Sequence, residues 1–380
     1  MTDLGPNKEL VGIPGSRDAL ATPALILDLN AFDRNLDALT MFCGQAGLRM
    51  RPHAKSHKCS EIAKRQIAAG AVGVCCATLK EAEVMIGAGV PGVLVTSPIV
   101  GARRVNSIAS LAKTGERVML VTDNPINHLE LAETARREGM VLDLLVDLDV
   151  GMHRTGTASP QAAVALAQQI ADHPHTRFRG IQAYSGRVQH IESYDERQNI
   201  YNRQMNILRD ALAQLSRAGL KPDIVTGGGT GTHDIDRDLG LFTELQTGSY
   251  ALMDVEYNLV TLRKDAPSPF ETSLFMQCSI VSNNAAGMVT LNGGFKCFAT
   301  DGPLPKIQDK TFPGAAYDWF GDEHGKMSLA LGTNETPALG SPVTLVTPHC
   351  DPTVNLHDHL HCVRGNKLTA IWRIDARGVL

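Results

Sequence analysis

A basic stretch near the N-terminus contains residues that could do carbonyl chemistry. Residues 51–58 read RPHAKSHK. A partly buried lysine among other cations has a lowered pKa, and its free amine can form a Schiff base. His53, His57 and Lys58 are the cations that would act on Lys55. The alternative is a solvated basic loop without chemistry.

A second stretch has the composition of an anion-binding loop. Residues 226–232 read TGGGTGT directly after the apolar DIV, and residues 247–250 read TGSY. Consecutive glycines let backbone N–H groups close around a phosphate, and threonine hydroxyls add donors. No Gly-Lys-Ser/Thr follows, so the loop is not a P-loop. A flexible glycine turn without a ligand is the alternative.

Strand-like segments alternate with helix-compatible ones from about residue 48 to residue 252. Eight segments are predicted as strands: MRPHAKS, GVCCATL, GVLVTSP, RVMLVTD, LDLLVDLDV, RFRGIQAYSG, DIVTGGGTG and ELQTGSYAL. Strict alternation indicates parallel βαβ units, and a count of eight indicates a closed (β/α)8 TIM barrel. A doubly wound sheet is the alternative, but no Gly-x-Gly-x-x-Gly follows the first strand.

The barrel would bring the two stretches together. Lys55 follows the first strand, and the glycine loop and TGSY follow strands seven and eight. Barrel enzymes build their sites at the carboxyl ends of the strands, and phosphate sites often use the last two loops. A lysine facing a phosphate loop predicts a pyridoxal phosphate site.

After Asp254 the pattern changes to strand-like segments separated by Gly, Pro and Asn turns. SLFMQCSIVS, GMVTLNGGF, SPVTLVTP and LTAIWRI predict a second, mainly antiparallel β domain. The early strand ALILDLN precedes the barrel and is predicted to pair into this domain. We therefore expect an N-terminal segment at 1–30, a barrel at 31–255 and a β domain at 256–380.

Several motifs, taken in order, resemble the family of D-threonine aldolases and D-serine dehydratases, which share an alanine racemase-type barrel and β domain. The motifs are TPALILDLNAFDRNL, RPHAKSHK, DLDVGMHRTG, QAYSGRVQH, VTGGGTG, ELQTGSYALMD, DEHG and PHCDPTVNLHD. One departure is Asn292, where relatives usually carry aspartate. The match runs from Thr22 to about Gly378, which argues against chance.

The resemblance implies a pyridoxal 5′-phosphate site in which Lys55 is the Schiff-base lysine. The phosphate-binding segments fall on Gly228, Gly229, Thr230, Gly248 and Ser249. Arg154 resembles the arginine that reaches the phenolic oxygen side of the cofactor. We also expect His53, Tyr184, Thr226 and Tyr250 to contribute to the cofactor site, with Tyr184 beside the ring.

His349 and Asp351, in PHCDPT after the strand-like SPVTLVT, form a candidate metal pair. In extended backbone, residues two apart face the same way, so the pair would converge on one ion while Cys350 points away. His-x-Asp suits Mn²⁺, Mg²⁺ or Co²⁺, of which we expect Mn²⁺, whereas His-x-Cys would favour Zn²⁺. The resemblance agrees, because aldolases of the family carry His-x-Asp and eliminating enzymes His-x-Cys. A turn without a metal is the alternative.

These residues predict retro-aldol cleavage of a D-threonine-like D-β-hydroxy-α-amino acid to glycine and an aldehyde; the D-configuration comes from the resemblance alone. His190 is the candidate base for the β-hydroxyl proton, because imidazole titrates near neutral pH. One alternative is cleavage of D-3-hydroxyaspartate, with Arg187 or Lys296 binding the second carboxylate. The others are β-elimination by a D-serine or 3-hydroxyaspartate dehydratase and, least favoured, a non-catalytic pyridoxal phosphate-binding protein.

Composition excludes several other classes of partner. The 380 residues carry a formal charge of −4 without basic runs, which predicts no binding to nucleic acid or anionic membranes. The start MTDLGPNKEL lacks signal-peptide character, and no apolar run approaches the roughly 20 residues of a membrane span. Eight cysteines without a C-x-x-C pair predict reduced thiols and a cytoplasmic protein. The resemblance implies a homodimer.

Overall fold

The computed structural model contains eight parallel strands that form a barrel. It describes residues 4–101, 118–308, 312–332 and 336–379, together with Val105, Ser107, Ile108 and Leu111. The barrel strands are β2 (Arg49–Met50), β3 (Cys75–Cys76), β4 (Leu94–Val95), β5 (Met119–Thr122), β6 (Leu142–Asp147), β7 (Thr176–Ala183), β8 (Ile224–Gly227) and β9 (Glu244–Leu245). Their order is β2-β9-β8-β7-β6-β5-β4-β3, and a parallel bridge from His53 to Cys75 joins the two ends. The predicted (β/α)8 barrel is confirmed.

The described helices follow the strands. They are α1 (Leu29–Ala46), α2 (Ser60–Ala68), α3 (Leu79–Gly87), α4 (Pro125–Arg137), α5 (Pro160–Asp172), α6 (Tyr194–Arg217), α7 (His233–Leu239), α8 (Val255–Asn258) and α9 (Cys350–Asn355). Local sequence fixes several of their starts. Asn124 and Ser159 cap α4 and α5 through their side chains, and each is followed by the proline that favours a first helical position. No helix in these ranges is both long and apolar enough to cross a membrane.

The second sheet is mainly antiparallel, as predicted. Its strands are β1 (Ala24–Asp28), β10 (Leu274–Ser282), β11 (Met288–Leu291), β12 (Lys306–Ile307), β13 (Ala316–Trp319), β14 (Gly325–Ser328), β15 (Pro342–Val346), β16 (His359–Arg364) and β17 (Lys367–Arg373). The order is β13-β14-β11-β10-β1-β16-β17, with β15 pairing β10 and β12. The early strand β1 lies inside this sheet, antiparallel to β10 and parallel to β16.

One apolar core extends from the barrel into the second sheet. It includes Leu27 of β1, Phe32 of α1, Leu245 of β9 and Met276 of β10, all fully buried. This shared packing holds the segment after β15 in a fixed place relative to the barrel strands.

A buried ion pair joins the first and last barrel strands. Arg51 donates from Nε to Glu244 Oε1 at 2.7 Å and from Nη2 to Oε2 at 3.0 Å. Both side chains are at most 5% exposed. A bidentate pair of this kind fixes geometry, so it anchors the chain just before Lys55.

The cysteines are free and buried. All eight lie in described positions, and none forms a disulfide. Burial raises the pKa of the Cys59 thiol to about 12. The prediction that the thiols are buried is confirmed.

Candidate active site

A cavity of about 360 Å³ lies at the carboxyl ends of the barrel strands. Six of the predicted site residues line it: His53, Lys55, Arg154, Tyr184, His190 and His349. These residues come from widely separated parts of the chain. The fold therefore brings the candidate lysine, base and metal ligand to one place.

Lys55 projects into this cavity from a short 3-10 helix, Ala54–Ser56, that follows β2. Its ammonium group forms an ion pair with the carboxylate of Asp351. Burial alone would lower the pKa of Lys55, but the charge and hydrogen bond of Asp351, together with contributions from Tyr184 and Cys350, raise that pKa overall. Burial would likewise raise the pKa of Asp351, but the charges of Lys55 and His349 and the hydrogen bonds from Lys55 and Cys350 together lower it.

The expectation that neighbouring cations lower the pKa of Lys55 is wrong for this structure. Burial lowers the pKa of His53 well below its usual value and that of His57 to about 4, so both rings are neutral near pH 7. Lys58 is paired with Glu81. The charge that acts on Lys55 is negative and comes from Asp351.

Hydrogen bonds fix the tautomer of His53. Its Nδ1 accepts from the backbone N of Lys55 at 3.3 Å. Its Nε2 lies 3.1 Å from Thr96 Oγ1, whose own proton is donated to the carbonyl of Cys76. The Thr96 oxygen must therefore accept, and His53 carries its proton on Nε2.

His349 and Asp351 reach the cavity from the start of α9. The expectation of extended backbone through this segment is wrong, because β15 ends at Val346 and Asp351 lies in the first turn of the helix. Proline is tolerated in a first helical turn, so Pro352 is compatible with helix here. The two side chains still meet at the cavity, since His349 lines it and Asp351 contacts Lys55.

Cys350 does not line the cavity, although its Sγ lies 3.2 Å from Asp351 Oδ1. Its side chain is fully buried, and its backbone N donates to Asp254 Oδ2 at 2.7 Å. The same carboxylate caps α8 by accepting from the backbone N of Tyr257 at 2.8 Å. Asp254 thus ties the end of the barrel to the start of α9, which fixes the position of Asp351.

Carboxylates surround the two histidines at the cavity edge. His349 Nδ1 is 2.9 Å from Asp301 Oδ2 and 4.0 Å from Glu256 Oε2. His190 Nδ1 is 3.3 Å from Glu256 Oε1, and the two imidazole rings stand 6.2 Å apart. Although burial lowers the pKa of His349, Asp351 and the Asp301 hydrogen bond raise it above the usual value.

His190 is neutral near pH 7. Burial, followed by the charge of His349, lowers its pKa to about 4. A neutral imidazole is the form that can accept a proton, although this shift makes it a weak base. His190 ends the short 3-10 helix Arg187–His190, which follows β7.

Two buried side chains, those of Gln189 and Asp236, pack against the glycine loop that follows β8. Gln189 Oε1 accepts from the backbone N of Gly231 at 2.9 Å. A Cβ on Gly229 would stand 2.5 Å from the same oxygen, and one on Gly228 would stand 2.3 Å from Asp236 Oδ2. Gly228 also has a φ of +65°, so only glycine fits the loop.

The second predicted phosphate-binding segment, residues 247–250, lies against the segment that carries Lys55. A Cβ on Gly248 would stand 3.2 Å from the carbonyl oxygen of His53. Ser249 Oγ is 3.4 Å from Asp351 Oδ1, and Thr230 Oγ1 accepts from the backbone N of Tyr250 at 3.0 Å. The segments after β8 and β9 therefore adjoin each other and Lys55.

Two residues predicted for the cofactor site have buried side chains with other partners. Tyr250 is 1% exposed, and its hydroxyl lies 3.3 Å from Gln66 Nε2. Thr226 Oγ1 accepts from Gln246 Nε2 at 3.1 Å and is fully buried. Gln246 itself lines the cavity, so Thr226 acts on it through that amide.

Arg154 stands over the ring of Tyr184, with its guanidinium carbon 5.7 Å from the ring centre. Both line the cavity, and Arg154 is solvent-exposed. The other two candidate cations do not line it: Arg187 is exposed nearby, and Lys296 pairs with Glu323 at 2.5 Å. Arg154 is therefore the arginine placed to meet an anionic group.

Sequence reasoning missed several polar residues of the site, among them Gln189, Asp254, Glu256 and Asp301. Gln189 and Asp254 lie within motifs recognised in the sequence, where a polar residue beside a strand end was the available signal. Glu256 and Asp301 gave no local signal, because their partners lie far away along the chain.

The residues present fit pyridoxal phosphate. The backbone N–H groups of Gly228, Thr230, Gly248 and Ser249 have no acceptor within the described ranges, which leaves a cradle of donors for a phosphate. Lys55 supplies the amine, and the segment of Gly248 and Ser249 adjoins the segment that carries it.

A divalent metal would find two protein ligands here, His349 and Asp351. Within the described residues no three His, Cys, Asp or Glu side chains converge as a preformed metal site. One nitrogen and one carboxylate, with water or substrate oxygens completing the shell, form a donor set that suits a hard divalent ion.

Comparisons with known proteins agree with this geometry. The family model described as alanine racemase, N-terminal domain, matches residues 27–254, and one described as putative serine dehydratase domain matches residues 273–363. A D-threonine aldolase of Arthrobacter sp. is 38% identical, over 94% of this chain and 93% of its own. A 3-hydroxy-D-aspartate aldolase of Paracoccus denitrificans is 33% identical, over 97% and 96%. The crystal structure of D-threonine aldolase from Filomicrobium marinum has a TM-score of 0.92 at 37% identity, covering 97% of this chain and 99% of that one.

Proposed function

This chain belongs to the family of D-threonine and 3-hydroxy-D-aspartate aldolases, built on the alanine racemase fold, and we propose that it is a lyase cleaving D-β-hydroxy-α-amino acids to glycine and an aldehyde. The observation that carries the proposal is the side chain that meets Lys55. Asp351 contacts it, whereas Cys350 is buried behind it. The resemblance associates His-x-Asp with aldol cleavage.

Lys55 and the phosphate cradle would hold the cofactor. When bound, pyridoxal phosphate supplies an electron sink for the carbanion left by breaking the Cα–Cβ bond. Asp351 keeps the Lys55 ammonium in the cavity through their ion pair. Arg154 places its guanidinium at the cavity rim beside Tyr184, where it binds an anionic oxygen.

His190 is the base that we propose for the β-hydroxyl proton. It lines the cavity in its neutral form, and Glu256 at 3.3 Å compensates the positive charge that the ring gains with the proton. Because its pKa is low, His190 needs a substrate hydroxyl that is itself acidified.

His349 and Asp351 would hold the divalent metal, for which we propose Mn²⁺. Such an ion supplies Lewis acidity that lowers the pKa of the β-hydroxyl. Asp351 would be available as a ligand of the ion if Lys55 holds the cofactor instead of pairing with this carboxylate. His349 presents its second ring nitrogen, since Nδ1 is bonded to Asp301.

The residues of the cavity also bear on the two alternatives, cleavage of D-3-hydroxyaspartate and β-elimination. D-3-hydroxyaspartate would need a cation for its β-carboxylate, and of the two lysine and arginine side chains among the described lining residues, Lys55 pairs with Asp351, which leaves Arg154. A D-threonine-like substrate needs no such partner. β-Elimination is disfavoured because the side chain that pairs with Lys55 is the carboxylate of Asp351 and not a thiol.

One assay separates the reactions. Purified protein would be incubated with D-threonine, D-3-hydroxyaspartate and D-serine, with and without Mn²⁺, and the products quantified. Glycine with acetaldehyde supports the proposal, and glycine with glyoxylate supports the hydroxyaspartate variant of it. Ammonia with a keto acid, or no turnover at all, would refute it.

We further propose a homodimer in the cytoplasm. The free buried cysteines suit a reducing compartment. Light scattering coupled to size-exclusion chromatography tests the dimer, for which a mass near 82 kDa is about twice that of the 40.8 kDa chain. A monomeric mass would contradict it.

A further inference from the structure

The carboxylate of Asp301 lies against the imidazole ring of the metal-site histidine, His349. Its Oδ2 lies 2.9 Å from His349 Nδ1. Asp301 is 55% exposed, whereas His349 is 21% exposed. The pair therefore sits at the edge of the cavity, with the histidine inside and the carboxylate outside.

This contact fixes which nitrogen of His349 carries the proton. An ionised carboxylate only accepts, so Nδ1 must be the donor, and in the neutral ring, which is the form that binds a metal, the lone pair is then on Nε2. Glu256 is the other carboxylate near this nitrogen, but at 4.0 Å it is beyond hydrogen-bond distance and lies closer to His190. Asp301 is thus the group that sets the tautomer.

The loop carrying Asp301 is fastened to the helix that carries the metal pair. The backbone N of Ala299 donates to Thr353 Oγ1 at 3.0 Å, and that hydroxyl donates to the carbonyl of His349 at 2.7 Å. The carbonyl of Cys297 also lies 2.9 Å from His357 Nε2. These bonds hold Asp301 and His349 at a constant separation.

We propose that Asp301 is a positioning residue of the metal site: it holds His349 with Nε2 free for the ion and increases the basicity of that nitrogen. The inference rests on the metal site proposed above. A carboxylate behind a metal-binding histidine typically contributes about 10- to 100-fold to metal affinity. We expect Asp301 to contribute within that range.

The test measures metal binding rather than turnover. The pyridoxal phosphate-loaded enzyme is stripped of metal with a chelator, and Mn²⁺ is titrated while free Mn²⁺ is followed by electron paramagnetic resonance. Asp301→Asn and Asp301→Ala are compared with the natural chain. Asp318→Asn is the matched control, because Asp318 is 54% exposed in the same domain and also has one ion pair, with Lys326 at 3.3 Å.

We expect the Mn²⁺ dissociation constant to rise about 10- to 100-fold in Asp301→Ala, and less in Asp301→Asn, which keeps an acceptor oxygen without the charge. Asp318→Asn should bind as the natural chain does. If both Asp301 variants bind Mn²⁺ within twofold of the natural chain, the inference is overturned. If Asp301→Ala loses thermal stability, Asp301→Asn still decides the question.

His349→Ala separates this inference from the metal proposal beneath it. That variant should abolish tight Mn²⁺ binding. If it binds Mn²⁺ as the natural chain does, the metal lies elsewhere and both ideas fail. Aldol cleavage is tested separately by product analysis. The proposed function can therefore be correct even if Asp301 does not contribute to metal binding.

Discussion

The buried carboxylate of Asp236 should make the stability of this protein depend on pH. It is fully buried under the glycine loop, and Thr232 Oγ1 donates to its Oδ2 at 2.8 Å. Its Oδ1 has no hydrogen-bond partner among the described residues. Burial raises the pKa of Asp236 to about 7.

The magnitude follows from the two pKa values. In the unfolded chain this carboxyl titrates near 3.9, so between about pH 4 and pH 7 the folded state binds a proton that the unfolded state has lost. Folding stability therefore falls as pH rises through this window, by about 1.4 kcal/mol per pH unit. By pH 8 the loss is on the order of 4 kcal/mol.

Asp236→Asn removes this titration, because the amide resembles the protonated acid and keeps an oxygen for Thr232. The free energy of unfolding of the variant should equal that of the natural protein near pH 4 and should exceed it by a growing amount as pH rises. We would measure urea unfolding of the cofactor-free protein from pH 5 to pH 8 at one protein concentration. Asp238→Asn is the control, because Asp238 is 53% exposed on the same helix. This variant should leave the slope of the unfolding free energy against pH unchanged. A stability difference for Asp236→Asn that stays constant with pH would refute the argument.

Three further changes test the fold and the site. Glu244→Gln leaves Arg51 buried without its counter-ion and should lower the free energy of unfolding by about 3–5 kcal/mol in urea titrations; a loss under about 1 kcal/mol would show that the pair is dispensable. Gly231→Ala would place a Cβ 2.1 Å from the backbone carbonyl oxygen of Gln189 and should weaken pyridoxal phosphate binding roughly tenfold or more, measured by absorbance titration; an unchanged affinity would show that the loop does not need glycine at this position. His190→Ala should lower kcat for the cleaved amino acid by about 10²- to 10⁴-fold in steady-state assays, and an unchanged kcat would remove His190 as the base.

The barrel was predictable because its signals are local. Each strand is a short apolar segment ended by a polar or glycine-rich turn, and helices separate them. The places of Lys55, the glycine loop and TGSY follow from that alternation, since the carboxyl ends of barrel strands meet at one mouth.

Features set by distant partners were not predictable in the same way. The pKa of Lys55 is controlled by Asp351, which lies 296 residues further along the chain, and the local cations gave the wrong direction. Asp301 meets His349 across 48 residues, without a local pattern. The start of α9 was missed for a different reason, because extended backbone also satisfies the His-x-Asp spacing.

The position of β1 has a consequence for synthesis of the chain. Leu27 is paired with Leu274 on one side and with Cys362 on the other. The strand β1, one of the first to be synthesised, therefore cannot complete its pairing until β16, one of the last, has been made. During translation, β1 therefore has unpaired strand edges on the nascent chain. Unpaired edges of this kind allow aggregation to compete with folding. A truncation that removes β16 and β17 should therefore damage the N-terminal strand first, far from the cut in sequence and next to it in space.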